Sequence, residues 1–492
     1  MGETQGCLFR VTYNRSVKVR QVDSRITSNA GAVPVREIDH RLGLFTDVAA
    51  EIVDPRDPDQ WRYNTVELLR QHIYAQAFGH IHQDDQDILA HDVAMKLAVW
   101  DRPGQQVADE RLASQPSDSR QIERLATIPG NREALRRALP EWVSRHQRAS
   151  GKGRKVTHGT IDIDPFPIEV HGQQKGAAYN GHYGAKIYYP LVASFAAEGS
   201  YESDRLGEGF VHAILRGGNV GGARGMARFT RTAIHKCRSL ATHLDVRIDA
   251  GLVEGRVLDT IDGEGVRFLG RIKRNPRLEA LAAPFLTYDS DQPIGDRPEF
   301  VKDLGFYQAD SWTRPYRIIL VVIQPDQTGQ MELWPRSFFL VTNWRADQRA
   351  PWALLEHYRR RGTFEDRFGE FNACVGGRLS HKTFAANEVS LLLKLLAFNL
   401  AGIARGELEM ATENGWDLKR VQQTVLRAAA RVTTHSGRLI LNVAEAAGRF
   451  WQRIMARVDH WWLHPDWGKR QPRPRPWIPP PAHAHLTLVF RE

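Results

Sequence analysis

Two aspartates stand two residues apart in the segment Ile161-Asp162-Ile163-Asp164. In a strand alternate side chains share a face, so the isoleucines turn towards a core and both carboxylates turn the other way. Asp249 ends a second strand-like run, Asp245-Val246-Arg247-Ile248-Asp249. Tyr358, Arg361 and Glu365 follow at i, i+3 and i+7, the spacing of one helix face. Three acids from separate elements suit a pair of Mg²⁺ ions, which prefer carboxylate oxygens and keep waters for phosphodiester chemistry. A phenol and a guanidinium beside the third acid would grip a phosphate. Each feature also has an ordinary reading. Exposed acids on an outer strand face are common, Asp-Ala-Gly is a frequent turn, and Arg361 with Glu365 forms a standard i, i+4 helix pair.

The elements that must carry these residues are readable from periodicity. A helical pattern runs from about Asp39 to Arg145, including "WRYNTVELLRQHIYAQAFGH", "DDQDILAHDVAMKLAVW" and a helix after "LASQPSDSR" capped at Ser117 or Ser119. "ASGKGRKVTHG" (149–159) reads as a basic, Gly-containing linker. Strands and helices then alternate: "GTIDID", "IYYPLVASFA", helical "FTRTAIHKCRSLATHL", "DVRID", helical "LVEGRVLDTIDGEG", "VRFLGRIK". That alternation predicts an α/β layer with a partly parallel sheet. "YRIILVVIQ" and "ELWPRSFFLVTNW" predict a β-hairpin inside a β-rich insertion. Helices resume at "PWALLEHYRRRGTFEDRFGEF" and "NEVSLLLKLLAFNLAGIAR", and the tail "WWLHPDWGKRQPRPRPWIPPPAHAH" is proline-rich.

Composition narrows the partner. The chain has 67 Lys and Arg against 57 Asp and Glu, a net charge of +10, which favours a polyanion such as nucleic acid. No acid falls between Gly209 and Leu244, a segment that holds Arg216, Arg224 and Arg228. A second basic cluster, with Lys152, Arg154 and Lys155, immediately precedes the paired aspartates. Three scattered cysteines give neither a disulfide framework nor a zinc motif, which fits a reducing cytoplasm. The apolar run "LLLKLLAF" is broken by Lys394 and too short for a membrane span, and the N-terminus lacks a secretory pattern. "RGGNVGGARG" fits no nucleotide-binding fingerprint, so no nucleotide cofactor is expected. His171 and His182 read as polar loop residues, and Trp312, Trp334 and Trp344 as core of the insertion.

The order and wording of these motifs resemble the DDE transposases of bacterial insertion sequences, in the branch with a Tyr-x2-Arg-x3-Glu signature and its thirteen-eighty group. "LASQPSDSR", "HGQQKGAAYNGHY", "LRGGNV" and "RIDAGLVEGRVLDTIDGEGVRFLGRIK" carry the resemblance over roughly residues 40–450. It implies a ribonuclease-H-like α/β core with a β-rich insertion, preceded by an all-helical N-terminal domain. The expected layout is a helical DNA-binding domain at 1–148, a catalytic core at 149–274 and 345–450, an insertion at 275–344 and a Trp/Pro-rich tail at 451–492. It also implies Asp164, Asp249 and Glu365 as catalytic ligands of two Mg²⁺ ions, with Mn²⁺ as a substitute, and Asp162 as a neighbour on the same face.

The partner would be double-stranded DNA, both terminal inverted repeats and target, held by a homodimer in the bacterial cytoplasm at the nucleoid, with no membrane. Tyr358, Arg361, Arg216, Arg224, Arg228, Lys152, Arg154 and Lys155 are the expected DNA contacts. Rival readings are a catalytically impaired DNA-binding derivative and a metal-dependent nuclease without strand transfer. Two departures from the family motif bear on the first rival. Pro165 stands where a small hydroxyl residue is usual, so the strand must end or bulge there. Asn372 stands where a basic residue is expected.

Overall fold

The computed structural model describes residues 25–101, 110–198, 207–221, 224–286, 299–323, 335–435 and 438–470, with short stretches at 7–10, 12–13, 16–20 and Val107. The first third is not all helical as expected: short strands stand at Cys7–Arg10, Lys18–Arg20 and Arg25–Thr27, the last paired antiparallel with Ala430–Val432. Helices make up most of the rest: α1 (Ala32–Leu42), α2 (Leu44–Glu51), α3 (Thr65–Ala77), α4 (Gln115–Thr127) and α5 (Pro129–Ser150). α3 starts on a capping box in which Asn64 and Glu67 each accept the other's backbone N–H at 2.9 Å. Two expectations shift here. The predicted single helix after Asp84 is two short ones, Asp85–Leu89 and Val93–Val99, the second capped by Asp92, which accepts from Met95 N. α4 begins earlier than Ser117, with Ser114 at its N-cap and Pro116 in its first turn, where a missing N–H costs nothing.

The expected linker 149–159 contracts to a five-residue connection, because α5 runs to Ser150 and the first strand starts at Val156. From there an eight-stranded sheet is laid down: β1 (Val156–Pro165), β2 (Leu191–Glu198), β3 (Gly209–Ile214), β4 (Ala241–Ile248), β5 (Arg267–Ile272), β6 (Glu299–Tyr307), β7 (Tyr316–Ile323) and β8 (Arg336–Thr342). Spatially the order is β6-β7-β8-β5-β4-β1-β2-β3. β1, β4 and β5 are parallel, whereas β2 and β3 fold back antiparallel. The insertion strands β6–β8 extend the same sheet beyond β5, so they continue the core instead of forming a separate layer. The predicted strand "IYYPLVASFA" is cut by Pro190, and its first part, Ala185–Tyr188, belongs to a small three-stranded sheet beside the main one.

One face of the sheet carries Ile161 and Ile163, fully buried against α6 (Met226–Cys237) and α7 (Gly255–Gly263). The other face is covered too. α8 (Pro351–Arg359) packs Leu354 and Leu355 over Leu269, Ile319, Val321 and Leu340. The continuous helix expected over 351–371 is broken: α8 ends at Arg359 and α9 (Gly362–Cys374) begins three residues later. At the break the Arg361 N–H donates to the Tyr358 carbonyl, a tight i−3 bond, and Gly362 lowers helix preference at the joint.

α10 (Phe384–Thr412) is the hub. Its apolar residues share one core with α1–α5, with Phe368 and Phe371 of α9, and with Val192 and Phe210 of the sheet. It is the described helix long and apolar enough to cross a bilayer, yet 83% of its most apolar stretch is buried inside the protein. Lys394, which breaks the apolar run in sequence, is also buried and donates to Gln76 of α3 at 3.0 Å. The predicted tail begins inside α11 (Glu445–Val458), and beyond it Trp461 is buried and Trp467 receives the Arg145 guanidinium 5.6 Å from its ring. The proline-rich remainder, 471–492, lies outside the described residues.

Candidate active site

The site forms where two parallel strands end side by side. Ile163 of β1 is in register with Ile248 of β4, so Asp164, still within β1, and Asp249, just past the end of β4, each follow a paired isoleucine where the parallel pairing stops. Pro165 fits this geometry. β1 pairs with β2 without a bulge as far as Pro165↔Leu191 and ends there, so the missing N–H falls at the last rung. The third acid, Glu365, is on the first turn of α9.

Arg361 joins these elements. Its guanidinium donates to Asp164 from one arm and to Glu365 Oε1 from the other, the latter at 2.7 Å. Arg361 is only 5% exposed, and its Nε is buried without a hydrogen-bond partner. Burial works against its charge, but Asp164, Asp249, Tyr358 and Glu365 together hold its pKa above the ordinary arginine value. The Asp164 carboxyl is pushed up to about 7 as the net of burial, which raises it most, Arg361, which lowers it, and the negative charges of Asp249 and Glu365, which raise it. Tyr358 lies in the same field: burial raises its phenol to about 12, with Arg361 lowering and Asp249 raising it. The acids read from sequence therefore belong to one electrostatic cluster, with Arg361 between two of them.

Asp162 is not on a solvated face. It is fully buried and forms a two-armed ion pair with Arg247 of β4, at 2.8 and 2.7 Å. The third arm of Arg247 donates to the His357 carbonyl at 2.7 Å, one residue before Tyr358. The pair thus stands two residues below both strand-end aspartates and pins the end of α8 to them. In sequence Arg247 is only a charge inside an otherwise apolar strand; that it faces Asp162 follows from the parallel register of β1 and β4.

Among the described residues, no three His, Cys, Asp or Glu side chains form a ready-made metal cage. The donor set nonetheless suits a divalent cation. A buried carboxyl lifted by two neighbouring carboxylates is what a bound cation would relieve, and Arg361 supplies positive charge at that place here.

The expected DNA contacts divide. Arg224, Arg228, Lys152, Arg154 and Lys155 are exposed. Arg216 is 7% exposed and spends its guanidinium on loop structure, donating to the carbonyls of Tyr189 at 2.9 Å and Arg224 at 3.1 Å. Trp312 and Trp344 are buried, as expected for core of the insertion, and Trp334 lies outside the described residues. Asn372 is exposed on α9, and His171 and His182 are exposed in their loops.

An α/β protein with a DDE domain is the class this points to, and the family comparison agrees: a model described as transposase DDE domain group 1 matches residues 9–460. The chain belongs to this family, whose members are transposases acting on DNA and, as DDE enzymes, generally with divalent metal ions. No curated protein matches it at a significant level.

Proposed function

We propose that the protein is a cut-and-paste DNA transposase that cleaves at terminal inverted repeats and transfers the freed 3′ ends into target DNA. The observation that carries this is one buried arginine, Arg361, paired with both Asp164 and Glu365, with Asp249 following the adjacent strand end and acting on the same charges. The strand order β3-β2-β1-β4-β5, three antiparallel strands followed by two parallel ones, supports a ribonuclease-H-like core with β6–β8 as its insertion. Asp164, Asp249 and Glu365 are the residues that would hold two Mg²⁺ ions, or Mn²⁺ in their place. When bound, such ions lower the pKa of an attacking hydroxyl and offset charge on the leaving oxygen.

The chain's own groups supply the positioning. Arg361 and Tyr358 face the same cluster, and a DNA phosphate offered to the guanidinium would compete with the carboxylates for its two-armed grip. Arg224, Arg228, Lys152, Arg154 and Lys155 hold DNA electrostatically, while Arg216 acts indirectly by shaping the loop that carries Arg224. The helices within 1–148 read the inverted repeats, and two copies pair two ends in a synaptic homodimer working on DNA in the bacterial cytoplasm. Pro165 closes β1 at its last rung, and Asn372 is exposed on α9, two turns beyond Glu365.

The test uses labelled end-sequence duplexes, with Mg²⁺ present or chelated. Cleavage should require the metal, and Asp164→Ala, Asp249→Ala or Glu365→Ala should each abolish it while DNA retention stays near wild type. Pre-cut ends offered with a target plasmid should then yield joined products. Metal-dependent cutting without joining would reduce the protein to a nuclease. Binding without cutting would make it a DNA-binding derivative.

A further inference from the structure

A second charged cleft lies on the same sheet, away from the acids. It opens towards the edge where β1, β4 and β5 begin, and Lys155, Arg238, Arg267, Arg349 and Arg360 line it. Six residues of β1 separate His158, in this cleft, from Asp164, about 20 Å at roughly 3.3 Å per residue. Two acids, Glu198 and Asp245, stand in the cleft and balance the five cations poorly. Arg349 is 3.9 Å from Asp245, and Arg360 is 4.0 Å from Glu198. Arg238 pairs outside the cleft, with Glu264 at 3.0 Å. Lys155 and Arg267 form no ion pair among the described residues and donate instead to carbonyl oxygens, of Arg238 and Asn343. Arg238 and Arg360 keep side chains 51% and 63% exposed.

Geometry links the cleft to the acids. Arg360 precedes Arg361, so the joint between α8 and α9 sends one guanidinium to the cleft and the next to Asp164. Lys152 and Arg154, both exposed on the connection into β1, extend the positive strip outward. A solvated protein surface mixes both signs. A strip of cations that runs from a sheet edge towards a phosphodiester-processing site is what a duplex backbone recognises, because each neutralised phosphate releases counterions.

We infer that this cleft is a second contact surface for duplex DNA, engaging backbone phosphates about 6 base pairs, at roughly 3.4 Å each, from the scissile phosphate. The inference rests on the DNA-cleaving reading of the acids and adds where the rest of the bound duplex runs. The contact is to phosphate and sugar and independent of base sequence, since the cleft offers mainly cations, and its two exposed imidazoles, His158 and His243, stack on each other with centroids 5.0 Å apart.

The test compares full-length wild-type protein with the triple variant Arg238→Gln, Arg349→Gln, Arg360→Gln. Two duplexes are used: one extends about 15 base pairs to each side of the cleavage point, and one stops about 3 base pairs from it. The readout is the slope of log affinity against log salt, in which each phosphate contact counts for about 0.9. On the long duplex the variant should lose a slope of about 2–3 and at least tenfold in affinity near 0.1 M salt. On the short duplex it should match wild type. An unchanged slope on the long duplex, or an equal fall on both, overturns the inference, the latter because the contact would not lie at a distance. If thermal unfolding shows the triple variant misfolded, Arg238→Gln with Arg360→Gln, the two exposed positions of the three, is held to the same comparison with a slope change of about 1–2. Failure of the wild type to cut either duplex with Mg²⁺ would instead count against the transposase reading, and the salt slopes would still be scored.

Discussion

Asp162 and Arg247 form a buried ion pair two residues below the strand-end acids. Removing one partner leaves the other charge buried and alone, which typically costs about 3–5 kcal/mol, whereas replacing both with apolar groups is often close to neutral. Arg247→Met should therefore lower the free energy of urea unfolding by about that amount, and Asp162→Leu added to it should restore most of the loss. Stability and positioning separate in the double variant. It also loses the bond from Arg247 to the His357 carbonyl that pins α8, so it should be well folded yet cleave DNA at least tenfold more slowly. A double variant with wild-type cleavage would mean the pair serves the fold alone. The candidate ligands were legible in sequence because their order and spacing survive without any knowledge of packing. The Asp162–Arg247 pair was not, because its partners are 85 positions apart and meet only through the parallel register of β1 and β4.

At the scale of elements, α5, α10 and α11 are tied by one buried carboxylate. Glu407 accepts from His146 at 2.9 Å, Ser150 at 2.7 Å and Arg457 at 2.9 Å. Burial disfavours its charge, but the bonds from His146 and Ser150, with Arg457 nearby, outweigh that and pull it down to about 2. A carboxyl whose folded pKa lies below its unfolded value of about 4.3 adds stability above that value and loses it as pH falls towards 2. Glu407→Gln should accordingly cost about 2–3 kcal/mol at pH 7, and the gap to wild type should narrow to about half as unfolding is measured down to about pH 3. A gap that stays constant with pH would assign the loss to packing.

Element types were mostly readable, because alternation and helical spacing report which face is buried. The joint at Arg360–Arg361 was not, since Tyr358, Arg361 and Glu365 keep helical spacing across it and only the i−3 bond of Arg361 marks the break. Nor was the burial of the Asp162 face, which depends on α8, placed there from nearly two hundred residues further along the chain.

Across the whole molecule, the boundary near residue 148 does not divide the hydrophobic core. α1–α5 bury their apolar sides against α10 and α11, and Leu69, Ile73, Leu135, Leu139 and Trp142 belong to the same cluster as Leu392, Leu396, Leu400 and Ile454. A fragment of residues 1–150 would expose that entire face. It should be poorly soluble and lack a cooperative thermal transition, whereas the same segment co-expressed with residues 149–492 should recover one. Calorimetry of the two preparations decides this, and a sharp transition from the fragment alone would show an independently folding unit.

The placement of α10 also sets a schedule for biosynthesis. Gln76 waits for Lys394, His146 for Glu407, and Arg41 for Asp459, so the earliest helices find their partners only after 318, 261 and 418 further residues have been made. At about 5–20 residues per second that delay lasts roughly 13–80 seconds, far longer than a helix or a collapsed intermediate takes to form. Throughout that interval the nascent chain presents an oily, half-finished surface to the crowded cell. A helix that unifies the finished protein thus leaves its beginnings uncovered while the rest is made, and a chain that stops before residue 384 lacks the helix that closes over them.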